Sequence, residues 1–197
     1  MMPSGSVQAA FEARLKETGA LLAGHFQLSS GLHSERYVQC AQLLQHPVHA
    51  EFACRALAEA IAQPVDVVVG PALGGVIVAH EVARALGVRS VFCERKEGVM
   101  QLRRGFGFAP GERVLVVEDV ITTGLTVEEA IACVRAAGGT VVAVASLVDR
   151  SGGQIDFGVP FTSVLPLSVE AYSAEQCPLC AAGVAWVKPG SREQAPV

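Results

Sequence analysis

The sequence predicts an α/β fold, a mostly parallel central sheet flanked by helices. Three observations carry this. Short apolar runs alternate with longer segments of helical spacing between Pro47 and Leu147, and that alternation implies right-handed crossovers and a parallel sheet. Of the 197 residues, 51% are hydrophobic and 17% charged, which suits one compact core in a single domain, 1–197. The chemically unusual loops all follow predicted strands, at the edge where such sheets bind ligands.

Val7 to Leu22 places apolar residues at roughly helical spacing, through Ala10, Phe11, Leu15 and Leu21. His25 to Cys40 has extended flanks around a polar turn at Gly31, which suggests a hairpin. Residues 1–45 are therefore expected to form a small hood. The core, 46–150, opens with Pro47 at the first turn of a helix reaching about Ala62. A strand from Val65 to Val69 ends at Gly70-Pro71, and a helix runs from Gly74 to Leu86. Then come strand Arg89 to Cys93, a charged loop Glu94 to Gly105, strand Arg113 to Val117, helix Thr126 to Ala137 and strand Thr140 to Leu147. From Ser151 the chain is rich in Gly, Pro and Ser without a period. Residues 151–197 are read as a tail that joins the hood.

Charge and composition exclude some roles. A formal charge of −4 with no Lys/Arg run argues against a nucleic-acid binder. The longest apolar runs, such as Val141 to Val148, are too short to span a bilayer, and the first residues lack an apolar signal core. The expectation is a cytoplasmic chain with reduced cysteines and no membrane partner.

Val114 to Thr126, VLVVEDVITTGLT, is the most informative segment. A buried apolar strand leads to two carboxylates, Glu118 and Asp119. Then comes a loop of small residues, Thr122-Thr123-Gly124, and a helix. Small residues let backbone N–H groups converge on an anion, and the helix N-terminus adds a favourable dipole. The carboxylates are unsuited to that anion and suited to sugar hydroxyls, directly or through hydrated Mg²⁺. A ribose phosphate meets all these demands. The plain alternative is an acidic turn capping a helix.

The order of features resembles the phosphoribosyl-diphosphate (PRPP) motif of type I phosphoribosyltransferases, with Leu125 a mild departure. Phe26 to Tyr37, FQLSSGLHSERY, resembles an N-terminal signature of the orotate branch of that family. The resemblance runs from about Phe11 to Gly153. It implies transfer of phosphoribosyl from PRPP to orotate with Mg²⁺, in pyrimidine biosynthesis, by a homodimer whose catalytic loop reaches the neighbouring site. By position, Glu118 and Asp119 would bind the ribose hydroxyls. The run Val120, Ile121, Thr122, Thr123, Gly124, Leu125 and Thr126 would hold the 5-phosphate, with Thr122 also near orotate. Ala72, Leu73 and Gly74, in GPALGG, look like the diphosphate loop. Arg95 and Lys96 match the pair leading into the catalytic loop, with Lys96, Arg103 and Asp119 as catalytic candidates.

Arg150, in LVDR, would meet orotate, with Tyr37 beside it. Read without the family, Arg150 is as well explained by a surface turn, and Arg104 by solvation. Many members carry lysine where this chain has Ser29 and Gly74, and a longer loop with a histidine; Arg103 is the candidate substitute cation. Two rival readings remain: a purine phosphoribosyltransferase on the same fold, and a non-catalytic PRPP-binding regulator.

Cys177-Pro178-Leu179-Cys180 is a single CxxC, a weak metal signal. The expectation is a reduced structural turn and no stoichiometric zinc. His25, His33, His46, His49 and His80 show no ligand spacing and are expected to be surface or structural residues.

Overall fold

The computed structural model describes residues 3–28 and 30–189. Six strands form the main sheet in the order β5-β4-β3-β6-β7-β8. They are β3 (Val67–Pro71), β4 (Arg89–Lys96), β5 (Val99–Leu102), β6 (Arg113–Ile121), β7 (Thr140–Asp149) and β8 (Phe161–Pro166). All pairings are parallel except β4 with β5. The central strands are continuous apolar runs because both faces are covered. Val68, Leu115, Val117, Ala143, Ala145 and Leu147 face α1 (Gly5–Glu17), α3 (Pro47–Ala60) and α4 (Gly74–Leu86). Val67, Val69, Val114, Val116 and Val144 face α5 (Leu125–Ala136). The alternation follows from the two-residue strand period. Each buried valine contributes roughly 1.5–3 kcal/mol of transfer free energy.

Away from the main sheet, β1 (Leu21–Gln27) and β2 (His33–Val38) form an antiparallel hairpin, and α2 (Cys40–Leu44) leads from it into the core. The hairpin is covered by later chain. His33 and Tyr172 exchange backbone hydrogen bonds, and Val187 bonds to both His25 and Gln27. A short helix α6, Pro178–Ala181, lies between these two attachments.

Several boundaries differ from the sequence expectation. Leu21 and Leu22 belong to β1, because the first helix ends at Thr18 and Gly19 turns with φ +69°. The charged segment 94–105 is a β-hairpin rather than a loop: β4 continues to Lys96, turns at Glu97-Gly98, and pairs back with β5. Strand β8 was hidden in a tail whose composition gave no period. Its residues Thr162 to Leu165 are buried beside β7.

Candidate active site

Strand β6 carries the acidic pair farther than expected, since Glu118 and Asp119 are still in the strand. Alternation starts them toward opposite faces, while the two carboxyls still reach one another. Glu118 lines an open cleft of about 180 Å³ together with Val120 to Val127. Asp119 turns to the first residue of α4. A Cβ on Gly74 would lie 2.7 Å from the Asp119 carboxylate carbon. No side chain fits there while Asp119 keeps this position, which is the physical reason for glycine. The Ser29 position lies outside the described residues.

Burial raises both carboxyls, and pushes Glu118, whose desolvation is reinforced by Asp119, up to about 9. Their polar contacts are local: Asp119 N–H donates to Glu118 Oε1 at 3.0 Å, and Val120 N–H donates to Asp119 Oδ1 at 2.8 Å. Buried carboxylates in this condition favour an incoming hydroxyl or cation.

Gly124 ends the small-residue loop with φ +81° and stands at the N-cap of α5. A Cβ there would meet Ile155 at 3.0 Å and Phe157 at 3.1 Å, so both backbone and packing demand glycine. Thr122 and Thr123 are exposed at the cleft. The helix begins at Leu125, one residue earlier than expected, and its positive dipole end faces this loop.

On the neighbouring strand, Ala72, Leu73 and Gly74 connect β3 to α4. Ala72 N–H donates to the Cys93 carbonyl at 2.7 Å, and Leu73 is exposed. Gly70 and Gly75 touch so closely that a Cβ on Gly70 would lie 2.1 Å from the Gly75 oxygen. The connection is tight because neither residue has a side chain.

Arg150 follows β7, its backbone N–H donating to Ile121 O at 2.7 Å. It is not part of an Asp149–Arg150 surface pair. Asp149 is buried and accepts from Ser151 N–H at 2.8 Å. The Arg150 Nε is buried with no hydrogen-bond partner among the described residues. Burial lowers its pKa, opposed by Tyr37. Tyr37, on β2, is raised by burial and lowered by Arg150, whose charge acts on it. Tyr37 Oη donates to Gln39 Oε1 at 3.3 Å, and its ring lies 5.8 Å from that of Phe26.

Three arginines of the 94–105 hairpin are each held by a carboxylate. Arg95 forms an ion pair with Glu129 of α5. Arg103 and Arg104 both contact Glu94, each at 3.2 Å. Lys96 is exposed at the end of β4. Glu94 and Glu129 as holders of these arginines gave no sequence signal, because the pairing depends on strand register and helix placement. The thiols nearby are inert: Cys40 lies buried with Sγ 3.9 Å from Asp119 O, and burial pushes Cys54 and Cys93 up to about 12.

Residues 40–157 match the family described as phosphoribosyl transferase domain. An orotate phosphoribosyltransferase of Pelotomaculum thermopropionicum is 57% identical over 92% of this chain and 96% of its own length. The chain belongs to the orotate phosphoribosyltransferase family. A second family member, from Thermotoga maritima, is 54% identical over 90% of this chain and 96% of its own. Among solved structures, the orotate phosphoribosyltransferase of Aeropyrum pernix superposes with TM-score 0.67 at 32% identity, covering 80% of this chain and 93% of that one. A Mycobacterium tuberculosis orotate phosphoribosyltransferase in complex with PRPP superposes with TM-score 0.63 at 26% identity, covering 83% and 91%. An adenine phosphoribosyltransferase of Thermoanaerobacter pseudethanolicus, 18% identical with TM-score 0.58, shares the fold alone. No helix among the described residues is long and apolar enough to cross a membrane.

Proposed function

We propose that this chain transfers the phosphoribosyl group of PRPP to orotate, giving orotidine 5′-monophosphate and diphosphate. The observation that carries the acceptor is Arg150. A buried guanidinium nitrogen without a hydrogen-bond partner among the described residues, electrostatically coupled to Tyr37 at the ligand edge of the sheet, suits a planar acid. The same placement disfavours adenine and guanine, which have no carboxylate.

The reaction forms a bond from orotate N1 to ribose C1, breaks the C1–O bond to diphosphate, and releases the N1 proton to diphosphate or solvent. The Thr122–Thr126 loop anchors the 5-phosphate. Glu118 grips a ribose hydroxyl from the cleft and Asp119 from the side of Gly74. No covalent nucleophile is required, in keeping with the inert buried thiols. Fixing the two reactants in line replaces much of the entropy of encounter. The acidic pair, raised by desolvation, fits hydrated Mg²⁺ as well as hydroxyls. When bound with PRPP, Mg²⁺ supplies charge that offsets the growing charge on diphosphate. The working unit is a cytoplasmic homodimer, and the 94–105 hairpin acts on the partner's site.

The decisive assay follows loss of orotate absorbance with PRPP and Mg²⁺, beside adenine, guanine and uracil as acceptors. Turnover of orotate alone is expected. Turnover of a purine would favour the purine reading, and PRPP binding without turnover of any base the regulator reading.

Lys96→Ala and Arg103→Ala test the hairpin. Each is expected to lower kcat more than it raises the orotate KM, the pattern of contacts made chiefly in the transition state. Mixing Lys96→Ala with Arg150→Ala subunits should restore activity above either parent, since one mixed site regains both groups. A change confined to orotate KM, or no restoration after verified subunit exchange, contradicts this role.

A further inference from the structure

We infer that His25, His33, Cys177 and Cys180 form a zinc site that fastens the tail to the hairpin. Sequence counting found one CxxC and no histidine pattern. Folding supplies the missing half. Gln27 pairs with His33 across the hairpin, and His25 sits in the irregular stretch between Ala23 and Phe26, from which its ring reaches that of His33. The CxxC turn at α6 then meets both rings. The four donor atoms lie within 4.8 Å of one another, and His25, His33 and Cys177 are buried.

The hydrogen-bond inventory of the cluster points to an ion. His25 Nδ1 lies 2.7 Å from the Val184 carbonyl oxygen. A carbonyl only accepts, so Nδ1 carries the proton and Nε2 presents its lone pair inward. Three groups converge on that lone pair: His33 Nδ1 at 2.8 Å, Cys177 Sγ at 3.4 Å and Cys180 Sγ at 3.7 Å. One lone pair accepts one good hydrogen bond, so a network of imidazoles and thiols accounts for one of the three contacts. Cys180 Sγ is also 3.2 Å from His33 Nδ1.

Donors around a shared centre behave this way. Tetrahedral zinc with Zn–N about 2.0–2.1 Å and Zn–S about 2.3 Å places N···N about 3.3 Å and N···S about 3.6 Å apart. The sulfur–nitrogen contacts of 3.2–3.7 Å lie within a few tenths of an ångström of these, the His25–His33 contact of 2.8 Å is about half an ångström short, and the widest donor pair lies within 4.8 Å. Val184 is the outer partner that such a ligand histidine needs to fix its tautomer.

The charges also balance. Two thiolates and two neutral imidazoles around Zn²⁺ leave a buried site of zero net charge, and two thiol protons go to solvent on binding. The four ligands come from β1, β2 and the tail, so the ion would lock together segments already linked by the Val187 and Tyr172 backbone bonds. The hairpin also carries Tyr37, which ties the site to the geometry of the acceptor pocket.

The test begins with the full-length chain, its thiols shown by titration to be reduced. Zinc is added, excess is removed by dialysis, and metal is measured by elemental analysis. About one zinc per chain is expected. Cobalt in its place should give the intense tetrahedral spectrum with thiolate-to-metal charge transfer. Cys180→Ser, at the least buried ligand, should weaken zinc binding on the order of a hundredfold or more while circular dichroism still reports a folded chain. His33→Asn provides a second variant should the first not fold. Chelation of the wild-type chain should lower its thermal midpoint and leave the Cys180→Ser midpoint nearly unchanged. Reduced wild-type protein that retains no zinc and gives no tetrahedral cobalt spectrum overturns the site. So does undiminished metal binding in both variants.

Discussion

Arg150→Ala is expected to abolish most use of orotate while leaving PRPP binding nearly intact. The guanidinium sits after β7, half-buried, with Nε lacking a hydrogen-bond partner among the described residues. A carboxylate leaving water needs a fixed cation, and arginine offers two parallel donors. Removing the cation leaves the bound acid unpaired. The expected loss is about 2–5 kcal/mol, roughly 30-fold to a few thousand-fold in orotate affinity or kcat/KM. Arg150→Lys keeps the charge but not the fork, so it should still impair orotate use, though less. PRPP should bind as before, because its phosphate loop leaves a different strand, β6. Titrating each ligand separately against both variants decides the matter. Loss of PRPP affinity with orotate affinity retained would remove Arg150 from the acceptor site.

The double variant Glu118→Gln with Asp119→Asn should lose turnover on the order of a hundredfold or more, because the ribose loses its grip and its alignment. The same variant should gain stability without ligand. Burial raises both carboxyls above their unfolded values. A carboxyl raised in this way contributes stability that is fully present below its unfolded pKa and lost as pH rises through the folded one. The wild-type chain without ligand should therefore become less heat-stable as pH climbs above the ordinary carboxylate range. The double amide should flatten that decline. Thermal unfolding across a pH series, with turnover measured in parallel, checks both halves. Near-normal turnover sinks the ribose assignment, and an unchanged pH slope sinks the account of strain from buried charge.

The core elements were legible because each carries its own local signal. The α4 boundaries, Gly74 and Leu86, follow from a glycine turn before and Gly87 after, whose φ is +70°. The β6 carboxylates were legible by composition, but their opposite faces were not. The strand had to be known to continue through Ile121 before alternation could be applied. The 94–105 hairpin reads as a loop in sequence because charge dominates its composition. Its pairing instead rests on register, Glu94 with Gln101 and Lys96 with Val99. Strand β8 has no helix of its own to announce a crossover, so nothing nearby marked Phe161 to Pro166 as a strand. The four donors at the hood were invisible for a plainer reason. His25 and Cys177 are 152 positions apart, and no spacing rule reaches that far.

That separation bears on how the molecule comes into being during synthesis. A domain generally folds as a unit once enough of its chain has emerged. Here the hairpin emerges early, yet the backbone of His33 waits for Tyr172 and that of Gln27 for Val187. An isolated two-stranded hairpin is at best marginally stable in water. The ribosome therefore delivers the first strands long before their neighbours exist. Closure of the hood is set to be a late event on the nascent chain, after the parallel core has formed beneath it.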